Sequence, residues 1–133
     1  IGIIPFSFAR INENLKELSE RYGNYTILEN DIYSFTFKGF TINVALYEEK
    51  AVALTFLKDD GQSIITPEEI RYILESNLGK DYKKSYNIGN MEFYEKGELS
   101  ASYVPEYNIL VITHNENFDK LQNKKTSEKM EGF

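Results

Sequence analysis

Apolar residues first recur at helical spacing between about Ala9 and Tyr22. Ile11, Leu15, Leu18 and Tyr22 stand four, three and four apart, so they share one face. Gly23 supplies a left-handed stop. A short extended piece with Tyr25, Ile27 and Leu28 follows, closed by the turn-prone Glu29-Asn30-Asp31. The period then changes to two. Tyr33, Phe35 and Phe37 alternate with Ser34, Thr36 and Lys38, and Phe40, Ile42, Val44 and Leu46 alternate with Thr41, Asn43, Ala45 and Tyr47. Ala51 to Leu57 is apolar at nearly every position, as in a strand covered on both faces. The connections at Gly39 and Glu48-Glu49-Lys50 are short enough for antiparallel hairpins.

Asp59-Asp60-Gly61-Gln62-Ser63 breaks this run. Thr66-Pro67-Glu68-Glu69 then carries the most specific local signal in the chain. Thr66 fits an N-cap, Pro67 the first helical position and Glu69 the third position of a capping box. Ile70, Ile73, Leu74 and Leu78 form the buried stripe before Gly79 ends the helix. Tyr82 and Tyr86 lead to Met91-Glu92-Phe93-Tyr94; Lys96-Gly97 turns into Leu99, Ala101 and Tyr103; Pro105-Glu106-Tyr107-Asn108 turns into Ile109 to Thr113. A third, short helix is expected from Asn115 to about Asn123, and 124–133 reads as a polar, flexible tail with Phe133 exposed at its end.

The expected fold is therefore α+β: two αβββ units forming an antiparallel sheet packed on two main helices, with a short C-terminal helix. Residues 1–123 make one domain with halves at 9–58 and 66–114. The order of helix, Gly, tyrosine-bearing extended segment and three strands occurs twice, a candidate internal repeat. Aligning the two Lys-Gly turns without a gap, however, sets Ile42 opposite Ser100 and Val44 opposite Ser102. That inverts the apolar phase, so a true repeat needs a one-residue difference in the second hairpin.

Composition narrows the chemistry more than the fold. The 133 residues are 41% hydrophobic and 27% charged, which excludes wholesale disorder. A net charge of −6 argues against nucleic acid as a partner, since a polyanion is repelled at long range. With no Cys, thiol nucleophiles, disulfides and thiolate metal sites are excluded, and no cofactor or metal is expected. No apolar run approaches the ~20 residues of a transmembrane span. A chain starting at Ile1 points to export, periplasmic or extracellular, with a cleaved signal peptide or a chosen segment boundary upstream.

His114, the single histidine, follows a predicted strand and is the one acid–base candidate, though a surface position beside the last helix accounts for it better, since the sequence offers no partner to orient the ring. The pairs Glu48-Glu49, Asp59-Asp60 and Glu68-Glu69 suit turns and a cap. Asp59-Asp60-Gly61 lacks the alternating oxygen ligands of a calcium loop. The glycines are scattered singly, so no phosphate loop exists. Lys83-Lys84 reads as an edge strand defended by charge.

Tyrosine is the informative residue. Ten Tyr and nine Phe occur with no Trp, and Tyr joins apolar area to a polar tip, as interfaces require. Tyr47 lies on an otherwise polar face, Tyr94 sits between Phe93 and Glu95, and Tyr107 is in a turn; these three are the candidate binding surface.

The stretches Ile11 to Leu57 and Pro67 to Thr113 resemble the tandem layout of the beta-lactamase inhibitor proteins. They also resemble the single-copy layout of the small lipoprotein family of the bacterial outer-membrane assembly machine. Two departures are plain: Gly23-Asn24-Tyr25 replaces the Gly-x-Pro that commonly closes the lipoprotein helix, and inhibitor-type disulfides need Cys. The run from Lys50-Ala51-Val52-Ala53 through Asp60-Gly61 to Thr66-Pro67-Glu68-Glu69-Ile70 is similar to small exported bacterial proteins, and it implies no activity or site residue. The expectation is a non-enzymatic binding module that engages a protein partner through a tyrosine-bearing sheet surface. The alternatives are a small-ligand domain with an aromatic pocket between helices and sheet, and a hydrolase or isomerase using His114.

Overall fold

Caps place the helices. In the computed structural model, which describes residues 10–29 and 31–131, α1 (Leu15–Tyr22) starts at an Asn14 cap. Asn14 Oδ1 accepts from the Glu17 N–H at 2.8 Å, and Glu17 Oε1 accepts from the Asn14 N–H at 3.1 Å. The helix thus begins later than the apolar spacing suggests. Ile11 is buried by another route: its N–H donates to Asn77 Oδ1 at 3.0 Å, and the Asn12 N–H donates to the Ala51 carbonyl at 2.8 Å. Ala9, the expected start, lies outside the described residues. α2 (Pro67–Leu78) has the anticipated capping box, with Thr66 Oγ1 accepting from the Glu69 N–H at 3.1 Å and Glu69 Oε1 accepting from the Thr66 N–H at 2.9 Å.

Four strands follow each of these helices. The first set is β1 (Thr26–Glu29), β2 (Ile32–Phe37), β3 (Phe40–Tyr47) and β4 (Lys50–Lys58); the second is β5 (Lys83–Ile88), β6 (Met91–Lys96), β7 (Leu99–Val104) and β8 (Ile109–His114). The tyrosine-bearing segments after Gly23 and Gly79 are edge strands, so the units are αββββ rather than αβββ. All eight strands join one antiparallel sheet in the order β1-β2-β3-β4-β8-β7-β6-β5. The two meanders meet at β4 and β8, where Leu54 pairs with Ile112 and Phe56 with Leu110.

The phase inversion between the halves has a local cause. In the β2–β3 hairpin the two turn residues are Lys38 and Gly39, with Phe37 paired to Phe40; in β6–β7 they are Gly97 and Glu98, with Lys96 paired to Leu99. The second turn is therefore displaced by one residue relative to its Lys-Gly dipeptide. Ile42 then corresponds to Ala101 and Val44 to Tyr103, all four buried.

One face of the sheet carries the main core. Phe35, Phe40, Ile42, Val44, Leu54 and Phe56 join Tyr103, Leu110 and Ile112 beneath Leu18 and Tyr22 of α1 and Ile70, Ile73, Leu74 and Leu78 of α2. The alternation along each strand puts these side chains on a common side. α3 (Asn115–Met130) lies across the other face, against β3, β4 and β8, and buries Leu121.

α3 also corrects the expected tail, because it continues through Lys124 to Met130 instead of stopping near Asn123. No Gly or Pro interrupts that stretch. Ion pairs one turn apart, Glu116–Lys120 at 3.2 Å and Lys124–Glu128 at 4.0 Å, support it. Phe133 lies outside the described residues. No helix among the described residues is long and apolar enough to cross a membrane.

Candidate functional site

The two halves of the sheet differ in what covers their second face. In the first half that face presents Asn43, Ala45, Ala53 and Thr55 to Phe118 and Leu121 of α3. In the second half the register aligns Tyr86, Phe93, Ser102 and Val111 in one row. The row beside it runs through Ile88, Met91, Val104 and Ile109, with Leu57 of β4 completing it. None of these side chains is buried: Tyr86 is 56% exposed, Ile88 59%, and the others are half-buried. Tyr86 stacks on Phe93 with ring centroids 4.7 Å apart and planes 16° from parallel. An uncovered apolar patch of this kind is what interaction surfaces present.

The opposite face of the same strands forms a second feature. Pro67, Ile70 and Leu74 of α2 face Tyr82, Tyr94 and Tyr103 across a cavity of about 310 Å³, with Ile64, Ile65, Arg71 and Glu92 at its margins. Tyr82 and Tyr94 meet edge to face at 5.6 Å and 80°. Tyr103 donates its hydroxyl hydrogen to Asn108 Oδ1 at 3.1 Å. The Tyr94 phenol is pushed up to about 12, by burial first and then by the Glu92 charge beside it. Glu92 is itself paired with Lys84 at 3.1 Å.

The three tyrosines singled out from sequence do not come together. Tyr47 is on the α3 side of β3, within electrostatic reach of Lys120. Tyr94 faces the other way, against the main core and α2. Tyr107 is 67% exposed in the β7–β8 turn. The single patch expected from Tyr47, Tyr94 and Tyr107 is therefore not formed, because β3 and β6 present their tyrosines to opposite faces. Tyr86 and Phe93 hold the exposed aromatic position instead. The alternation of Met91 and Phe93 with Glu92 and Tyr94 was the available signal.

His114 caps α3. Its Nδ1 accepts from the Asn117 N–H at 3.4 Å, which places the ring in a structural role at the strand–helix junction. Asp60 is the acceptor of its own loop. Its carboxylate takes the Gln62 N–H at 2.8 Å, the Ser63 N–H at 2.9 Å and the Ser63 hydroxyl. Those bonds, the Ser63 hydroxyl foremost, hold its carboxyl down to about 2. Glu48 and Glu49 are the two left-handed residues of the β3–β4 turn, with φ of 50° and 66°. Lys83 and Lys84 stand on the edge strand β5. Among the described residues no three His, Asp or Glu side chains converge as metal ligands would.

No protein-family model matches the chain, and neither the curated proteins nor the solved structures searched gave a match.

Proposed function

We propose that the protein is a non-enzymatic interaction module that seats an amphipathic helix of a protein partner on the open half of its sheet. The observation that carries this reading is the unequal cover of one continuous face. Over β3, β4 and β8 the face takes a helix, α3, through Phe118 and Leu121. From the start of β8 across β7 and β6 it continues as Ile109, Val111, Val104, Phe93 and Met91, all only half-buried, with no helix packed over them among the described residues. A helix laid beside α3 would extend an interface the fold already uses. The Tyr86–Phe93 stack provides the rigid aromatic anchor that interface hot spots favour. The proposal carries no catalytic role.

The test pairs self-association with binding. Sedimentation of the protein alone should show a monomer. An NMR titration with a designed amphipathic helical peptide should move the amide signals of Met91, Phe93, Val104 and Ile109, while a scrambled peptide of equal composition should not. Tyr86→Ser with Ile88→Ser, both at exposed positions, should abolish those shifts. Shifts elsewhere, or a concentration-dependent dimer that this double variant dissolves, would overturn the reading; the dimer would assign the face to a second copy.

A second proposal concerns origin: we infer that the two αββββ units arose by duplication. Tyr25 meets Phe35 with ring centroids 5.7 Å apart in the first unit, as Tyr82 meets Tyr94 at 5.6 Å in the second, and the matched turns set Phe35 opposite Tyr94. Gly23 and Gly79 close the preceding helices with φ of 87° and 88°. The one-residue turn displacement removes the conflict in apolar phase.

A further inference from the structure

The cavity beneath α2 is separate from the open sheet face, since Tyr82, Tyr94 and Tyr103 project from the other side of the strands. Its volume, about 310 Å³, stands at the lower limit for small-molecule sites and suits a ligand of roughly ten to fifteen heavy atoms. The polar groups around it are unequally satisfied. Tyr103 is committed to Asn108, and Tyr94 to Glu92, whose charge Lys84 already balances. Arg71 stands exposed at the margin and has no carboxylate partner among the described residues. A guanidinium beside an aromatic wall offers a two-pronged donor to a planar anion and a surface for a ring.

We propose that this cavity binds a small aromatic carboxylate, with its ring between the α2 surface at Pro67 and Ile70 and the Tyr82–Tyr94 pair, and its carboxylate on Arg71. Charge complementarity selects this class. A neutral aromatic would leave the guanidinium unanswered, and a cation would meet Arg71 at the mouth. The edge-to-face pair leaves ring faces and edges for a third aromatic to pack against.

Phenylacetate and its neutral isostere phenylacetamide are the probes, read by chemical-shift titration of the full chain. Phenylacetate should move the signals of Ile70, Tyr82 and Tyr94 saturably, with Kd on the order of 10⁻⁴ to 10⁻³ M for a ligand this small. Phenylacetamide should bind at least about fivefold more weakly. Arg71→Gln, at an exposed helix position, should bring the two probes to equal affinity without changing that of the amide. Tyr94→Leu should weaken both. Absence of a saturable shift at these residues would overturn the proposal. So would equal affinity of acid and amide for the unaltered protein, or a preference for the acid that survives Arg71→Gln.

Discussion

Asn108 donates from Nδ2 to the Ser63 carbonyl at 2.7 Å, joining the β7–β8 turn to the segment that leads into α2. The same side chain accepts at Oδ1 from the Ile65 N–H at 2.9 Å and from the Tyr103 hydroxyl at 3.1 Å. One amide thus fixes the position of α2 over β7, and with it one end of the tyrosine-lined cavity. Its backbone is left-handed, φ 54°, a region Asn tolerates better than most residues.

Replacing Asn108 should therefore cost more than a typical turn substitution. Asn108→Gly keeps the backbone conformation accessible and removes only the three side-chain bonds, for a loss of about 1–2 kcal/mol. Asn108→Ala adds the left-handed strain and should lose about 1 kcal/mol more. Urea denaturation of both variants separates the two contributions. Equal stabilities would mean that the backbone conformation contributes nothing.

Tyr22 predicts the opposite sign. Its ring packs in the main core, 4.6 Å from Phe37, yet its buried hydroxyl has no hydrogen-bond partner among the described residues. Burial pushes the phenol well above its ordinary value of 10.0, because the phenolate would be desolvated. Tyr22→Phe should stabilise the protein by about 1 kcal/mol at neutral pH. A raised folded value means that stability is complete below pH 10 and declines as the unfolded chain ionises above it. The variant should lose less stability between pH 9 and 11 than the wild type, as thermal melts across that range would show. Tyr94 and Tyr103, both also raised, keep some alkaline loss in either protein.

What the sequence made legible was what local physics decides. Thr66-Pro67-Glu68-Glu69 announces its helix because the cap is satisfied within four residues, and the period-two runs from Tyr33 to Leu57 announce strands. Ile11 departs from its helical spacing, since it precedes α1 and a long-range bond from its N–H to Asn77 fixes it there. α3 beyond Asn123 offered no apolar stripe to read, only its i,i+4 charges. The open face was hidden for a different reason. Alternation in the first half sets polar Thr41 and Asn43 opposite a buried face, and that rule does not carry over to Met91, Phe93, Val104 and Ile109, which are apolar on the uncovered side. The irregularity between Lys84 and Tyr86 sets which side Tyr86 takes, and no residue pattern announced it.

The β3–β4 turn holds a correctable strain. Glu48 and Glu49 both occupy left-handed conformations, with φ of 50° and 66°, between the paired Tyr47 and Lys50. Two-residue turns of this shape favour Asn-Gly, since glutamate carries a Cβ penalty and no side-chain bond suited to the turn. Glu48→Asn with Glu49→Gly should raise stability by about 1–2 kcal/mol and the melting temperature by several degrees. An unchanged melting temperature would show that the wild-type turn is not strained.

Glu69 links the α2 cap to the sheet, and its charge gives a pH-dependent test. Oε2 accepts from Lys58 Nζ at 2.7 Å while Oε1 accepts from the Thr66 N–H at 2.9 Å, and the Lys58 ammonium lies 4.5 Å from the centre of the Phe40 ring. Burial alone would raise the Glu69 carboxyl. The Lys58 hydrogen bond, the Thr66 N–H and the Lys58 charge outweigh it and hold the group below its ordinary 4.5. A depressed folded value contributes stability that is present above the ordinary value and lost as pH falls through the folded one. Glu69→Gln keeps an acceptor for Thr66 and removes the charge, so it should cost about 1 kcal/mol at pH 7. The difference between the two proteins should shrink as pH falls below 4.5 and disappear once the folded Glu69 carboxyl is protonated. Every other carboxylate titrates alike in both and cancels. A gap that stays constant from pH 7 to pH 3 in urea melts would mean that the Glu69 charge adds nothing to its hydrogen bonds.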